Sequence, residues 1–297
     1  MIGTALKQLL PEEVFISSAD YDLRDPRATR QMYAEHKPDY VIHLAARVGG
    51  VAANYNYLAD FYRDNIQINT NVLHGAHEAQ TKKVVSLLST CVYPDIVSYP
   101  LREEDIHSGA PHYSNYAYAY AKRMLDVQSR AYRKQYGCNF ITAVPNNLFG
   151  ENDNFDLQNS HVIPALIRKM YEAKKGNHNV TLWGDGSPLR EFTYSLDLAH
   201  ILLFLIDNYD DAAPINIGNT QEYSIHTVAH TIAEILQFEG EITWDTTKLN
   251  GQHRKPSDNS KLLQLGWNLQ DYTNFTDALT KMCQWFILNY PNARGVK

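Results

Sequence analysis

Short apolar runs at residues 13–17, 40–45, 84–89 and 140–144 alternate with helix-period segments at 27–35, 58–79 and 118–135. That alternation constrains the fold more than any other feature. Runs that are apolar at nearly every position need cover on both faces, and helical crossovers between them make the strands parallel. The expectation is an α/β chain on a Rossmann-type, doubly wound parallel sheet. Gly137 stands where a helix C-cap is needed, just ahead of the run at 140.

After Gly150 the rhythm loosens. Helical patterns at 161–174, 196–208, 225–236 and 275–289 mix with short strands at 180–183 and 191–193 and with longer polar loops. The division expected is a dinucleotide-binding domain over residues 1–150. A smaller substrate lobe over 151–297 is interleaved with that domain's last strands and helices.

The opening of the chain departs from this pattern. Residues 1–10 read as the first helix of a Rossmann unit. Such a helix ordinarily follows an apolar strand and a glycine-rich turn that holds a pyrophosphate. Only Gly3 stands where the last glycine of that turn belongs. About five buried apolar side chains in a central strand contribute ~7–15 kcal/mol, as much as a domain's whole stability. A polypeptide that begins upstream of Met1, with the first strand missing here, is therefore expected.

Composition excludes several classes of function. The chain has 297 residues and 27 Lys and Arg against 33 Asp and Glu, a formal charge of −6. No basic field is available for nucleic acid or an anionic membrane, so an anionic ligand must be met by a few local cations. No apolar run reaches the ~18 residues of a membrane span, and Lys7 breaks the only stretch placed like a secretory signal. Three scattered cysteines, Cys91, Cys138 and Cys283, form no disulfide framework and suggest a reducing, cytoplasmic setting. His74 and His77, like His226 and His230, have helical spacing but no carboxylate or Cys in ligand register. No metal is expected.

The chemistry concentrates in a few residues. Tyr118 and Lys122 stand four apart, on one face of a helix. A cation there is expected to favour the phenolate and bring Tyr118 toward a pKa useful for proton transfer. Ser89 and Cys91 are two apart, so on a strand both side chains point to one side. A cysteine closing a strand is ordinarily a small buried hydrophobe, and a lone histidine such as His161 ordinarily caps a helix. Their company argues otherwise. Tyr116 and Tyr120 flank Tyr118 but lack the spacing to Lys122, and they default to packing.

Several stretches together carry a resemblance: Leu44-Ala45-Ala46-Arg47-Val48-Gly49-Gly50, Ser89-Thr90-Cys91-Val92-Tyr93-Pro94, the Tyr118/Lys122 pair, Asn152-Asp153-Asn154-Phe155, Asn159-Ser160-His161-Val162-Ile163-Pro164, Trp183-Gly184-Asp185-Gly186, Arg190-Glu191-Phe192, and Trp244-Asp245-Thr246-Thr247-Lys248 with Gly251. Along essentially its whole length the chain resembles the GDP-L-fucose synthases, a family of extended short-chain dehydrogenase/reductases. The resemblance implies 3,5-epimerisation of a GDP-4-keto-6-deoxy sugar followed by NADPH-dependent reduction at C4. Cys91 and His161 match the two proton-exchanging positions. Tyr118 matches the proton donor to the C4 oxygen, Ser89 the residue that holds that oxygen, and Lys122 the residue that tunes Tyr118 and binds the nicotinamide ribose. Cofactor contacts are implied for Gly3, Asp22, Leu23, Ser89, Tyr118, Lys122, Asn147 and His161, and substrate contacts for Lys169, Trp183, Arg190 and Asp245. Lys169 keeps the charge but loses the bidentate fork that Arg offers a phosphate. NADP(H) preference comes from the resemblance alone. A homodimer is implied too, through the helices at 58–79 and 118–135.

Two alternatives stand beside this one. A UDP-hexose 4-epimerase or a dehydratase shares Tyr118 and Lys122 but does not call for both Cys91 and His161. A dehydratase often carries Asp-Glu after the Ser or Thr, where this chain has Thr90-Cys91. The other alternative is a non-catalytic relative, favoured by the missing glycine turn and opposed by Ser89, Cys91, Tyr118, Lys122 and His161.

Overall fold

The computed structural model describes residues 1–50, 54, 56–248 and 253–296. Gly251 lies outside the described residues. The central sheet is parallel and four-stranded, in the order β1 (Tyr40–His43), β2 (Lys83–Leu87), β3 (Phe140–Pro145) and β7 (Ile215–Ile217). Every residue of β2 and β3 is buried, as their unbroken apolar runs require. Val85, Leu87, Ile141 and Ala143 face one layer, built on α1 (Ile2–Leu9) and α6 (Ser195–Asn208) through Leu6, Leu198, Ile201 and Leu202. Val84, Phe140 and Val144 face the other, built on α2 (Pro26–His36), α3 (Leu58–Glu78) and α4 (Tyr116–Tyr136) through Met32, Tyr33, Leu73 and Leu125. Alternate side chains of one strand thus feed two helical layers, the doubly wound arrangement expected.

A second core carries the lobe. β4 (Asn147–Phe149) pairs parallel with β6 (Leu189–Tyr194), which pairs antiparallel with β8 (Glu222–Ser224). β5 (Val180–Trp183) pairs parallel with β9 (Ile242–Asp245). These strands pack with α5 (Val162–Gly176), α7 (Ile225–Leu236) and α9 (Phe275–Asn289) around Phe149, Ile167, Met170, Ile232 and Phe286. The short helix α8 (Ser260–Gln264) returns to the main sheet, where Leu262 joins the α1–α6 layer.

Two expectations are corrected. Residues 13–17 form no strand; Val14 is 63 % exposed. A strand is held by a neighbour's hydrogen bonds, and this segment pairs with none among the described residues, so its apolar run has nothing to act on. β2 ends at Leu87, and Thr90–Val92 is a 3₁₀ turn with Ser89 as its N-cap. Gly137 behaves as expected, closing α4 in the left-handed region at φ 72°.

Candidate active site

A cavity of about 640 Å³ opens where β2 and β3 end, between the main sheet and the lobe. Open α/β sheets bind ligands at this end of their strands. Ser89, Cys91, Tyr118, Lys122 and His161 all line it. So do Asn147, Trp183 and Arg190. Ser89 and Cys91 share it through the 3₁₀ turn rather than through strand alternation. Ser89 Oγ accepts the Cys91 N–H at 3.5 Å, which folds the turn back on itself.

Two consecutive residues of α4 fasten this turn to the strand end. Lys122 Nζ donates to the Leu87 carbonyl at 2.8 Å. Arg123 donates to the Val92 carbonyl at 2.6 Å and to Gly109 O at 2.7 Å. The helix that carries Tyr118 therefore also sets the position of Cys91. Phe61 of α3 meets the Tyr118 ring edge-on at 6.3 Å. The preceding loop is pinned by Asn65, which exchanges hydrogen bonds with the Arg47 backbone, and by the Arg47–Asp64 ion pair at 2.8 Å.

Electrostatics correct one expectation. Burial pushes the Tyr118 phenol up, and the neighbouring Cys91 pushes the same way. Lys122 does not reverse this, because burial lowers its own ammonium to about 8. Its Nζ lies 6.0 Å from the Tyr118 ring centre. Desolvation dominates at both groups. Burial raises the Cys91 thiol as well, opposed by the Ser89 hydrogen bond and the charges of Lys255 and Lys122.

His161 is the N-cap of α5 and makes no side-chain capping bond, so its ring is free to face the cavity. Lys255 lines the cavity too and was not singled out in the sequence. A buried carboxylate delivers it there. Glu191, 2 % exposed, accepts from Ser257 N at 3.0 Å and Ser257 Oγ at 2.5 Å, bringing the 255–257 segment against β6 beside Arg190. Burial lowers both Lys255 and Arg190, opposed by acidic neighbours of each. Glu191 also takes Asn146 Nδ2 at 3.2 Å, and Asn146 Oδ1 accepts from Thr193 at 2.7 Å. Gly218, at φ 131°, passes so close that a methyl group would sit 2.5 Å from Thr193 Oγ1.

The other predicted contacts fall at the rim or outside. Trp183 is 69 % exposed at the cavity mouth, with Lys169 at 5.7 Å and Lys248 at 6.0 Å from its ring. Lys169 itself does not line the cavity, and neither does Asp245, whose carboxylate closes a turn with Thr247. Asp22 is engaged by Arg24 at 2.8 Å, which holds its carboxyl near 2, and it lies outside the cavity with Leu23. Gly3 sits in α1 and does not itself line the cavity, although the N-cap Met1 and the first helical residue Ile2 do.

A parallel sheet with helices on both faces, a Tyr and Lys one helical turn apart, and a strand-end Ser define a nucleotide-dependent short-chain oxidoreductase or epimerase. Residues 4–218 match the NAD dependent epimerase/dehydratase family, to which the chain belongs. A GDP-L-fucose synthase of Dictyostelium discoideum is 46 % identical over 283 residues, 95 % of this chain and 88 % of that protein. That of Escherichia coli is 34 % identical over 99 % of this chain and 96 % of its own. The crystal structure of a Naegleria fowleri GDP-L-fucose synthetase bound to NADP superposes with a TM-score of 0.94 at 42 % identity, covering 99 % of this chain and 91 % of that one. Within the wider family, the chain belongs with the GDP-L-fucose synthases.

Proposed function

We propose that this chain converts GDP-4-keto-6-deoxy-D-mannose to GDP-L-fucose, by epimerisation at C3 and C5 and then NADPH-dependent reduction at C4. The observation that carries the proposal is the presence of Cys91 and His161 in one cavity with Ser89, Tyr118 and Lys122. A 4-epimerase or a plain ketoreductase needs the last three alone. Carbons beside a ketone lose protons because the carbanion delocalises onto the oxygen. Inverting such a carbon needs a base on one face and an acid on the other. Cys91 and His161, arriving from the turn after β2 and the start of α5, supply two exchangeable protons from different parts of the wall. Ser89 donates to the C4 oxygen as negative charge gathers there. Tyr118 gives that oxygen its proton.

The wall fits the redox end of a dinucleotide. Ser89, Tyr118, Lys122, Asn147 and His161 line it, and the N-terminus of α1, with no side-chain cap, opens on it and favours negative charge. When bound, NADPH supplies the hydride for C4. Lys122 would hold the nicotinamide ribose. Arg190 and Lys255 would meet the substrate diphosphate, with Trp183 and Lys169 at the rim against the guanine nucleotide.

The functional unit we propose is a cytoplasmic homodimer, formed of chains with a dinucleotide domain near residues 1–150 and an interleaved lobe after it. All three cysteines are free thiols, which suits a reducing compartment; no described helix is long and apolar enough to cross a membrane. Between α3 and α4 lies a second, apolar cavity of about 480 Å³ lined by Leu58, Tyr62, Tyr116, Tyr120 and Met124. The activity is tested by incubating the purified chain with GDP-4-keto-6-deoxy-D-mannose and NADPH and identifying the sugar nucleotide by NMR. GDP-L-fucose is expected. Reduction without inversion at C3 and C5 would refute the assignment.

A further inference from the structure

Three buried acceptor atoms on residues lining the cavity have no hydrogen-bond partner among the described residues: Asn54 Oδ1, Asn115 Oδ1 and Asp153 Oδ2. Buried polar atoms in folded proteins nearly always have one. The remaining polar atoms of two of these side chains are already committed. The Asn54 amide donates to the Gly49 and Gly50 carbonyls at 2.7 and 3.1 Å, which fixes its oxygen on the other side. Asp153 Oδ1 accepts the Asn154 N–H at 2.7 Å. Asn54 is 7 % exposed and Asp153 6 %, so water does not reach them freely. Asn115 precedes Tyr118 by one helical turn as the N-cap of α4 and makes no capping bond.

Their placement follows the chemistry. The loop of Asn54 runs against the residues leading into His161, where a methyl group on Gly50 would lie 3.5 Å from the Asn159 carbonyl oxygen. Asp153 opens the same connection; burial raises its carboxyl, opposed by the Asn154 N–H and by the neighbouring His161 and Arg294. Three unpaired acceptors on residues of the wall that also holds Tyr118 and His161 call for a ligand that brings donors. Hydroxyl groups come from two sources here, the sugar ring and the cofactor ribose. Only the sugar must present carbons to both Cys91 and His161. We infer that Asn54, Asn115 and Asp153 form an acceptor set that recognises sugar hydroxyls and selects which 4-keto sugar is turned over. The inference rests on the activity proposed above.

Calorimetric titration of the unmodified chain, Asn115→Leu and Asp153→Asn with GDP-L-fucose, GDP and NADP⁺ tests it. Each substitution is expected to weaken GDP-L-fucose by about 3- to 10-fold, the worth of one hydrogen bond. GDP and NADP⁺ binding should stay within about twofold. Asp153→Asn keeps an oxygen for the Asn154 N–H, so the ligand-free melting temperature should hold. Should that variant not fold, Asn115→Leu carries the test alone. Equal weakening toward GDP, weakening confined to NADP⁺, or none at all would overturn the inference. If the unmodified chain binds GDP-L-fucose no more tightly than GDP, the inference fails, while the proposed activity stands or falls separately by the turnover assay above.

Discussion

Replacing Lys122 by Met should remove a pH dependence of stability that the unmodified chain shows above neutrality. Lys122 is 3 % exposed, and burial lowers its ammonium from 10.5 to about 8. The unfolded chain restores the ordinary value. Below both values the folded protein carries a poorly solvated charge, and the destabilisation is fully present. As pH rises from about 8 to about 10.5 the unfolded state binds more protons than the folded one, so stability climbs and the penalty disappears. Where the two states differ by a whole proton, stability rises by ~1.36 kcal/mol for each pH step of one, so the climb between about pH 7 and about pH 10 is roughly 2–3 kcal/mol. Methionine fills the space without a charge. It leaves the Leu87 carbonyl without its donor, costing ~1–3 kcal/mol, but this cost does not change with pH. Urea unfolding of both proteins at the two pH values gives the difference of differences, in which the other titrating groups largely cancel. Agreement of the two changes within ~0.5 kcal/mol, the reach of the extrapolation, would refute the argument that burial governs this lysine.

Four further substitutions have outcomes that follow from the geometry. Cys91→Ser should stop exchange of solvent deuterium into the substrate while leaving a 4-keto sugar open to reduction. Tyr118→Phe should cut NADPH oxidation by about 10²- to 10⁴-fold yet spare that exchange; equal loss of both partial reactions in both variants would contradict the division. Trp183→Ala, at a 69 % exposed ring between Lys169 and Lys248, should weaken GDP binding by about 5- to 30-fold, taking stacking as ~1–2 kcal/mol, and barely move the melting temperature. Gly218→Ala combines a left-handed φ of 131° with a clash into Thr193 and Asn146. It should cost ~2–4 kcal/mol, read by thermal unfolding.

The strands and helices of the sheet were legible because burial leaves a periodic mark on the residues themselves. Val84 to Leu87 and Phe140 to Val144 had to be covered on both faces, and they are. The segment at 13–17 carried the same mark, yet pairing depends on a neighbour that local pattern does not report. Ser89 and Cys91 met in the cavity, although their shared direction comes from a 3₁₀ turn fastened by Lys122 and Arg123. The pKa of Tyr118 was read in the wrong direction because spacing shows that a cation is near, while desolvation is a property of the finished fold. Lys255 was missed for a related reason. The basic pair Arg254-Lys255 was visible, but the buried Glu191 that draws Ser257 against β6 is what turns one of those cations into the cavity. Asn54, Asn115 and Asp153 left no signal in sequence, since an unpaired acceptor is recognised only once every other group has found its partner.

In the function proposed, one cavity performs both proton exchange and hydride reduction. Turnover of GDP-4-keto-6-deoxy-D-mannose with NADPH in deuterated water, read by NMR of the product, tests it directly. Deuterium is expected at C3 and C5, with the C4 hydrogen delivered from NADPH. A product reduced at C4 but carrying no solvent deuterium would contradict it, because Cys91 and His161 would then share a wall with Tyr118 without sharing its chemistry.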